Sequence, residues 1–138
     1  MKNLLVAVDE SEASLKGART ALTLADALGA RVSLLFVVPP MLLPGDAPWA
    51  PVEEIHEAEL RRGMAVLTQI ARELGRKDLE LLVKIGPPAE IIAEVAEMNQ
   101  ADLVVVGSTG KGAVKRLLVG SCADRLVHIC ARPVLVVR

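Results

Sequence analysis

Gly107, Gly110, Gly120 and Ser121 stand at a spacing that suits anion binding through the backbone. They lie in "VVVGSTGKGAVKRLLVGSCADRL", residues 104–126, where an apolar run ends in glycine and a basic, glycine-rich turn follows. Nine residues after Gly110, a Gly-Ser pair opens a segment of helical spacing. Gly107 would turn the chain at the edge of a sheet, and Gly110 and Gly112 would let the backbone approach a ligand with no Cβ in the way. Gly120-Ser121 would present backbone N–H groups and the positive end of a helix dipole. One helix terminus contributes only about 0.3–2 kcal/mol toward an anion, whereas micromolar binding takes roughly 8 kcal/mol. Several amides, a cation and apolar burial must therefore act together, and Lys111, Lys115 and Arg116 are the nearby cations.

Neither standard nucleotide cradle fits these residues. A Walker A loop with Gly110-Lys111 as its Gly-Lys pair needs glycine at 105 and Ser or Thr at 112, where the chain has Val105 and Gly112. The dinucleotide fingerprint fails because Lys115 stands where its third glycine belongs.

The elements that must position this stretch are legible as five aliphatic runs: "LLVAV" (4–8), "VSLLFVV" (32–38), "LELLVKI" (79–85), "DLVVVG" (102–107) and "PVLVVR" (133–138). Four segments with helical spacing separate them. The first carries Leu15, Ala18, Leu22 and Ala25, and the second Leu60, Leu67, Ile70, Ala71 and Leu74. The third runs from about Pro88 to Met98, and the fourth, from about Gly120 to Cys130, carries Ala123, Leu126, Val127 and Cys130. Gly29 and Gly75 stand where the first two helices should stop, and Pro88 where the third should begin. Alternating strands and helices predict an α/β fold, one domain over residues 1–138 with a parallel sheet covered on both faces. The insert "PPMLLPGDAPWAP" (39–51) reads as a surface loop, with a lid or contact role as the alternative.

Composition narrows the function. Hydrophobic residues make up 52% of the chain and aromatics 1%, with Phe36 and Trp49 the only two, so the core is aliphatic and bases would lack stacking partners. The net charge of -1 provides no field for nucleic acid, which argues against a nucleic-acid partner. Cys122 and Cys130, with His56 and His128, match no zinc pattern and read as reduced core thiols. The apolar residues before Asp9 are too few for a signal peptide, and no apolar run is long enough to span a membrane. The expectation is a cytoplasmic protein without a membrane partner.

The spacing Gly107-x2-Gly110-x9-Gly120-Ser121 resembles the nucleotide-binding signature of the universal stress protein family. "LLVAVDESEAS" resembles that family's first strand with its following Asp and Ser, and "DLVVVGSTGKG" with "LVGSCADRLVHICARPVLVVR" resembles its last two strands and last helix. The resemblance covers nearly the whole chain and leaves 39–51 without a clear pattern. It implies an open five-stranded parallel sheet in the order 3-2-1-4-5 with helices on both faces, a Rossmann-like fold of the adenine nucleotide alpha hydrolase type. It also implies ATP binding, because relatives with this signature bind ATP and a sister group without the glycines does not. In that order strands 1 and 4 are neighbours, so Asp9 and Gly107, 98 positions apart, meet at one mouth.

By position, the resemblance puts Ala7, Val8 and Asp9 near the adenine and ribose and Val37 against the adenine. Val106, Gly107 and Gly110 then lie along the ribose and phosphates. Gly120, Ser121 and the Cys122 amide take the phosphate tail, with Lys111 as a further cation and a magnesium ion on the phosphates. The last strand pairs across a twofold axis in similar proteins, so a homodimer through Val134, Leu135, Val136 and Val137 is implied. Each site residue also has a plainer reading. Asp9-Glu10-Ser11-Glu12 reads as a helix cap with Asp9 as its first member, and Ser121-Cys122-Ala123-Asp124 has the same form. His128 reads as packed on its own helix and His56 as solvated. The sequence offers no general base beyond Asp9 near the phosphates, no nucleophile elbow and no paired carboxylates, which points to binding with at most slow hydrolysis. A dimerisation scaffold with incidental nucleotide is the reading from another class.

Overall fold

The computed structural model describes residues 1–40, 49, 51–109 and 120–138. Gly110, Lys111, Gly112, Lys115 and Arg116, and most of the insert at 39–51, lie outside the described residues. Five strands, β1 (Asn3–Ala7), β2 (Arg31–Val38), β3 (Glu80–Ile85), β4 (Leu103–Gly107) and β5 (Val134–Val137), fall on the five aliphatic runs within one residue at each end. Between them run α1 (Glu12–Leu28), α2 (Val52–Glu73), α3 (Pro88–Met98) and α4 (Ser121–Ile129). The sheet order is β3-β2-β1-β4-β5, and every neighbouring pair is parallel, as expected.

The strands are apolar at every position because both faces are covered. Successive strand residues point to opposite faces. Leu4, Val6 and Val8 therefore meet Ala18, Ala21, Leu22 and Ala25 of α1 on one side, joined by Leu67 and Ile70 of α2. Leu5, Val104 and Val106 meet Ile92, Val95 and Ala96 of α3 on the other, joined by Ala123 and Leu126 of α4. A buried leucine of this kind contributes about 1.5–3 kcal/mol through burial alone. Edge position shows in the burial: β5 is half-buried throughout, whereas Val104 and Val105 in β4 are fully buried.

Helix ends follow local chemistry. Gly29 closes α1 at φ 66°, and Gly75 takes φ 68° just beyond α2, both in the left-handed region that glycine enters without steric cost. Pro88 is the first residue of α3, where its missing N–H has no intrahelical partner to lose. Two expectations fail. Leu60, the first residue of the apolar spacing in α2, is exposed at 38%. Val127, at helical spacing with Ala123, is 52% exposed, because α4 buries only the narrow face of Ala123 and Leu126 against α3 and the sheet. Among the described residues no helix is long and apolar enough to cross a membrane.

Candidate functional site

The crevice follows from topology. From β1 the chain crosses to α1 on one face of the sheet, and from β4 it continues to α4 on the other. The adjacent carboxyl ends of β1 and β4 are thereby left open. Val6 is in register with Val105, so Asp9 and Ser108 emerge at the same edge. The Ser11 hydroxyl donates to the Thr109 carbonyl at 3.4 Å and ties the two loops directly.

Asp9 is held by a local network. Its Oδ1 accepts the Ser11 amide at 2.7 Å. Its own N–H donates to Ser14 Oγ at 3.0 Å, and Ser14 Oγ lies 2.9 Å from the Asp9 carbonyl and 3.1 Å from that of Ser11 as their donor. The cap of α1 is Ser11, whose Oγ accepts the Ser14 amide at 3.2 Å. This corrects the plainer reading of Asp9: the carboxylate belongs to the turn before the helix and does not cap it. Ser14 is the buried polar centre of the network, 5% exposed.

Gly107 is glycine for a different reason than the sequence implies. A Cβ there would lie 2.7 Å from the Ala13 carbonyl carbon and from the Ser14 nitrogen. The first turn of α1 thus packs directly on the end of β4, a contact of backbone with backbone. Across the loop, the Gly120 N–H donates to the Ser108 carbonyl at 2.5 Å, and the Ser108 N–H donates to the Val137 carbonyl at 2.7 Å. The two ends of the 108–120 segment are thereby fastened to each other and to β5.

The N-cap of α4 is Gly120, and no side chain caps the helix among the described residues. Ser121 is its first helical residue, which removes the reading of Ser121 as a cap. Cys122 follows, half-buried; burial pushes its thiol pKa up, and the Asp9 and Glu90 carboxylates push it further, so the thiol stays protonated at neutral pH. Those two carboxylates, one in the β1–α1 loop and one on α3, converge on the start of α4. His128 Nδ1–H donates to the Asp124 carbonyl at 2.7 Å, one turn back on the same helix, and His56 is exposed.

A cleft of about 620 Å³ runs along this edge of the sheet. That volume lies within the range of small-molecule sites. Ala7, Val8, Asp9, Val37, Val106, Gly107, Gly120, Ser121 and Cys122 all line it. Gly110 and Lys111 lie outside the described residues. Further lining residues that the sequence did not point to as part of a site include Ser14, Arg62, Pro88 and Ile92. Pro88 had a visible helix-start signal but no sign of a shared cavity, Ser14 had no signal of its own, and Arg62 is one of many charges on a long helix. Both sheet faces contribute, so only the assembled fold reveals the set.

The universal stress protein family model matches residues 1–138 of the chain. The chain belongs to the universal stress protein family. A universal stress protein of Methanocaldococcus jannaschii is 34% identical over 140 aligned positions, covering 99% of this chain and 82% of the relative. Among solved universal stress proteins, UspA from Lactobacillus plantarum superposes with a TM-score of 0.85 at 26% identity, covering 99% of this chain and 97% of that one. Another, solved in complex with cAMP, has a TM-score of 0.66 at 25% identity over 99% of this chain and 97% of its own. The sheet order is thus that of a universal stress protein with a Rossmann-like fold.

Proposed function

We propose that this universal stress protein is a nucleotide-binding regulatory module that holds ATP, with Mg2+ on its phosphates, in the cleft between β1 and β4. One observation carries the reading: a single 620 Å³ cleft joins Asp9, the end of β4 at Gly107 and the start of α4 at Gly120-Ser121. Anionic groups gain most where backbone amides and a helix N-terminus converge. The α4 end, uncapped by any described side chain, supplies both. Ala7, Val37, Val106 and Ile92 give the base an aliphatic wall. A relative of known structure binds cAMP, a smaller adenine nucleotide, which supports the ligand class. Mg2+ would be held mainly through the phosphates with one or two carboxylates, and Asp9, at the same sheet edge as the end of β4, is a carboxylate that lines the cleft.

Bound nucleotide would favour one state of the protein over another and so change the surface offered to partners; most of the 108–120 loop through which this would act lies outside the described residues. Asp9 Oδ1 already accepts the Ser11 amide, a structural use, and hydrolysis is proposed to be slow at most. The protein is proposed to act as a homodimer through β5, whose residues Val134 to Val137 form a half-buried, apolar sheet edge. Mass spectrometry of small molecules released from protein purified without added nucleotide tests the ligand directly, and ATP is the expected species. Gly120→Val is expected to abolish ATP binding; Gly120 has φ -59°, which any residue adopts, so the fold should survive. Wild-type ATP affinity in that variant sinks the site. Val136→Pro is expected to shift the dimer toward monomer in sedimentation while ATP binding persists. A wild-type protein that binds no ATP on titration, with the dimer intact, would leave the scaffold reading in its place.

A further inference from the structure

Arg62 is the only basic side chain among the described residues that lines the cleft, and neither the glycine motif nor the sheet edge pointed to it. It projects from α2, half exposed, with its guanidinium carbon 6.0 Å from the centre of the Phe36 ring. Its nitrogens lie 3.4 Å from the Glu59 carboxylate on the same helix and 3.9 Å from the Glu10 carboxylate in the β1–α1 loop. Arg62 therefore bridges α2 to the loop that carries Asp9. It also lines a smaller recess of about 170 Å³ beside Ile55 and His56, so it has room to reorient without displacing core atoms.

Its position along the cleft decides what it meets. Phe36 and Val37 belong to β2, whereas α4 starts beyond β4, and β1 lies between those two strands. Two strand spacings separate the Arg62 end from the α4 end by about 10 Å. A ligand with its phosphates on the α4 terminus thus turns its other end toward Arg62. A guanidinium is planar, stacks on ring faces and donates in a fixed fork, and its attraction to a ring grows as water is excluded. Phosphate at this end would also face the Glu10 and Glu59 carboxylates, which repel it.

We propose that Arg62 is a specificity-determining residue that stacks on, or donates to, the purine ring of the bound nucleotide. This rests on the nucleotide reading above. The test is titration of wild type, Arg62→Met and Arg62→Lys with adenosine, AMP and ATP in magnesium, by calorimetry. The expected result is a loss of roughly 3- to 30-fold in Arg62→Met, by a similar factor for all three ligands. Arg62→Lys should not restore it, because lysine keeps the charge without the planar fork. A change below about twofold for every ligand overturns the proposal. So does a loss that grows from adenosine to ATP, or full rescue by lysine, since either would make Arg62 a phosphate cation. A wild-type protein that binds none of the three overturns the nucleotide reading and the role of Arg62 with it. Thermal midpoints of both variants check the fold; if Arg62→Met melts early, Arg62→Lys alone decides, because it retains charge and aliphatic stem.

Discussion

The Cβ position of Gly107 lies 2.7 Å from the backbone nitrogen of Ser14, although 93 residues separate the two in sequence. Backbone cannot swing aside as a side-chain tip can. The end of β4 and the first turn of α1 are therefore in contact only because residue 107 is glycine. Gly107→Ala is expected to destabilise the protein by about 1–3 kcal/mol, the usual cost of overpacking, and to weaken nucleotide binding by displacing the Asp9 turn. A urea midpoint unchanged from wild type would refute the contact.

Ser14 links that contact to Asp9. Removing its hydroxyl leaves the Asp9 N–H and carbonyl short of a partner at a site only 5% exposed. Ser14→Ala should cost about 1–3 kcal/mol. Nucleotide affinity should fall as well, since the turn bearing Asp9 loses its anchor. Denaturant titration and ATP titration of the same sample read the two effects separately.

Cys122 should react slowly with alkylating reagents at neutral pH, because burial and the nearby carboxylates keep its thiol protonated. Its rate should rise only above the pH at which an ordinary cysteine ionises. ATP, lying against the start of α4, should slow it further while leaving Cys130 unaffected. Peptide-resolved mass spectrometry after iodoacetamide pulses measures both rates, and equal protection of the two cysteines would count against the site.

Arg76 forks across Asp78 at 2.8 Å and also reaches Asp26 at 3.0 Å, tying α1 to the loop before β3. The Arg76 hydrogen bond holds the Asp78 pKa down at about 2, from 3.8. A folded-state pKa below the unfolded value stabilises fully above the unfolded pKa and is lost as pH falls. Stability should therefore decline between about pH 4 and pH 2 as Asp78 protonates. Asp78→Asn should flatten that part of the curve. Urea midpoints measured from pH 6 to pH 2 make the comparison, and parallel curves would exclude the link.

The Arg76 fork and the Ser14 anchor were both invisible as patterns, and the contrast with the strands explains why. A strand buried on both faces must be apolar along its whole length, so "LLVAV" and "DLVVVG" declare themselves whatever surrounds them. Gly29, Gly75 and Pro88 also act through their own backbone chemistry, and each stands at the helix end where it was expected. Asp9 and Ser121 show the limit. Both fit a capping pattern, and in both cases a neighbour, Ser11 or Gly120, occupies the cap instead. One or two residues of register decide that, and register comes from how the helix docks.

By itself, the sequence determined the five strands, the four helices and, through the spacing of Gly107, Gly110, Gly120 and Ser121, the family and its sheet order. The strands and helices are properties of short segments, set by burial, φ preference and periodicity, whereas the sheet order was implied only by the family resemblance. The tertiary structure alone decided that Gly107 serves the packing of α1, that Ser14 anchors Asp9, and that Arg62 reaches the cleft from α2. Each depends on a distance between residues far apart in the chain. No local pattern encodes such a distance, because it exists only after helices from both faces have closed on the sheet.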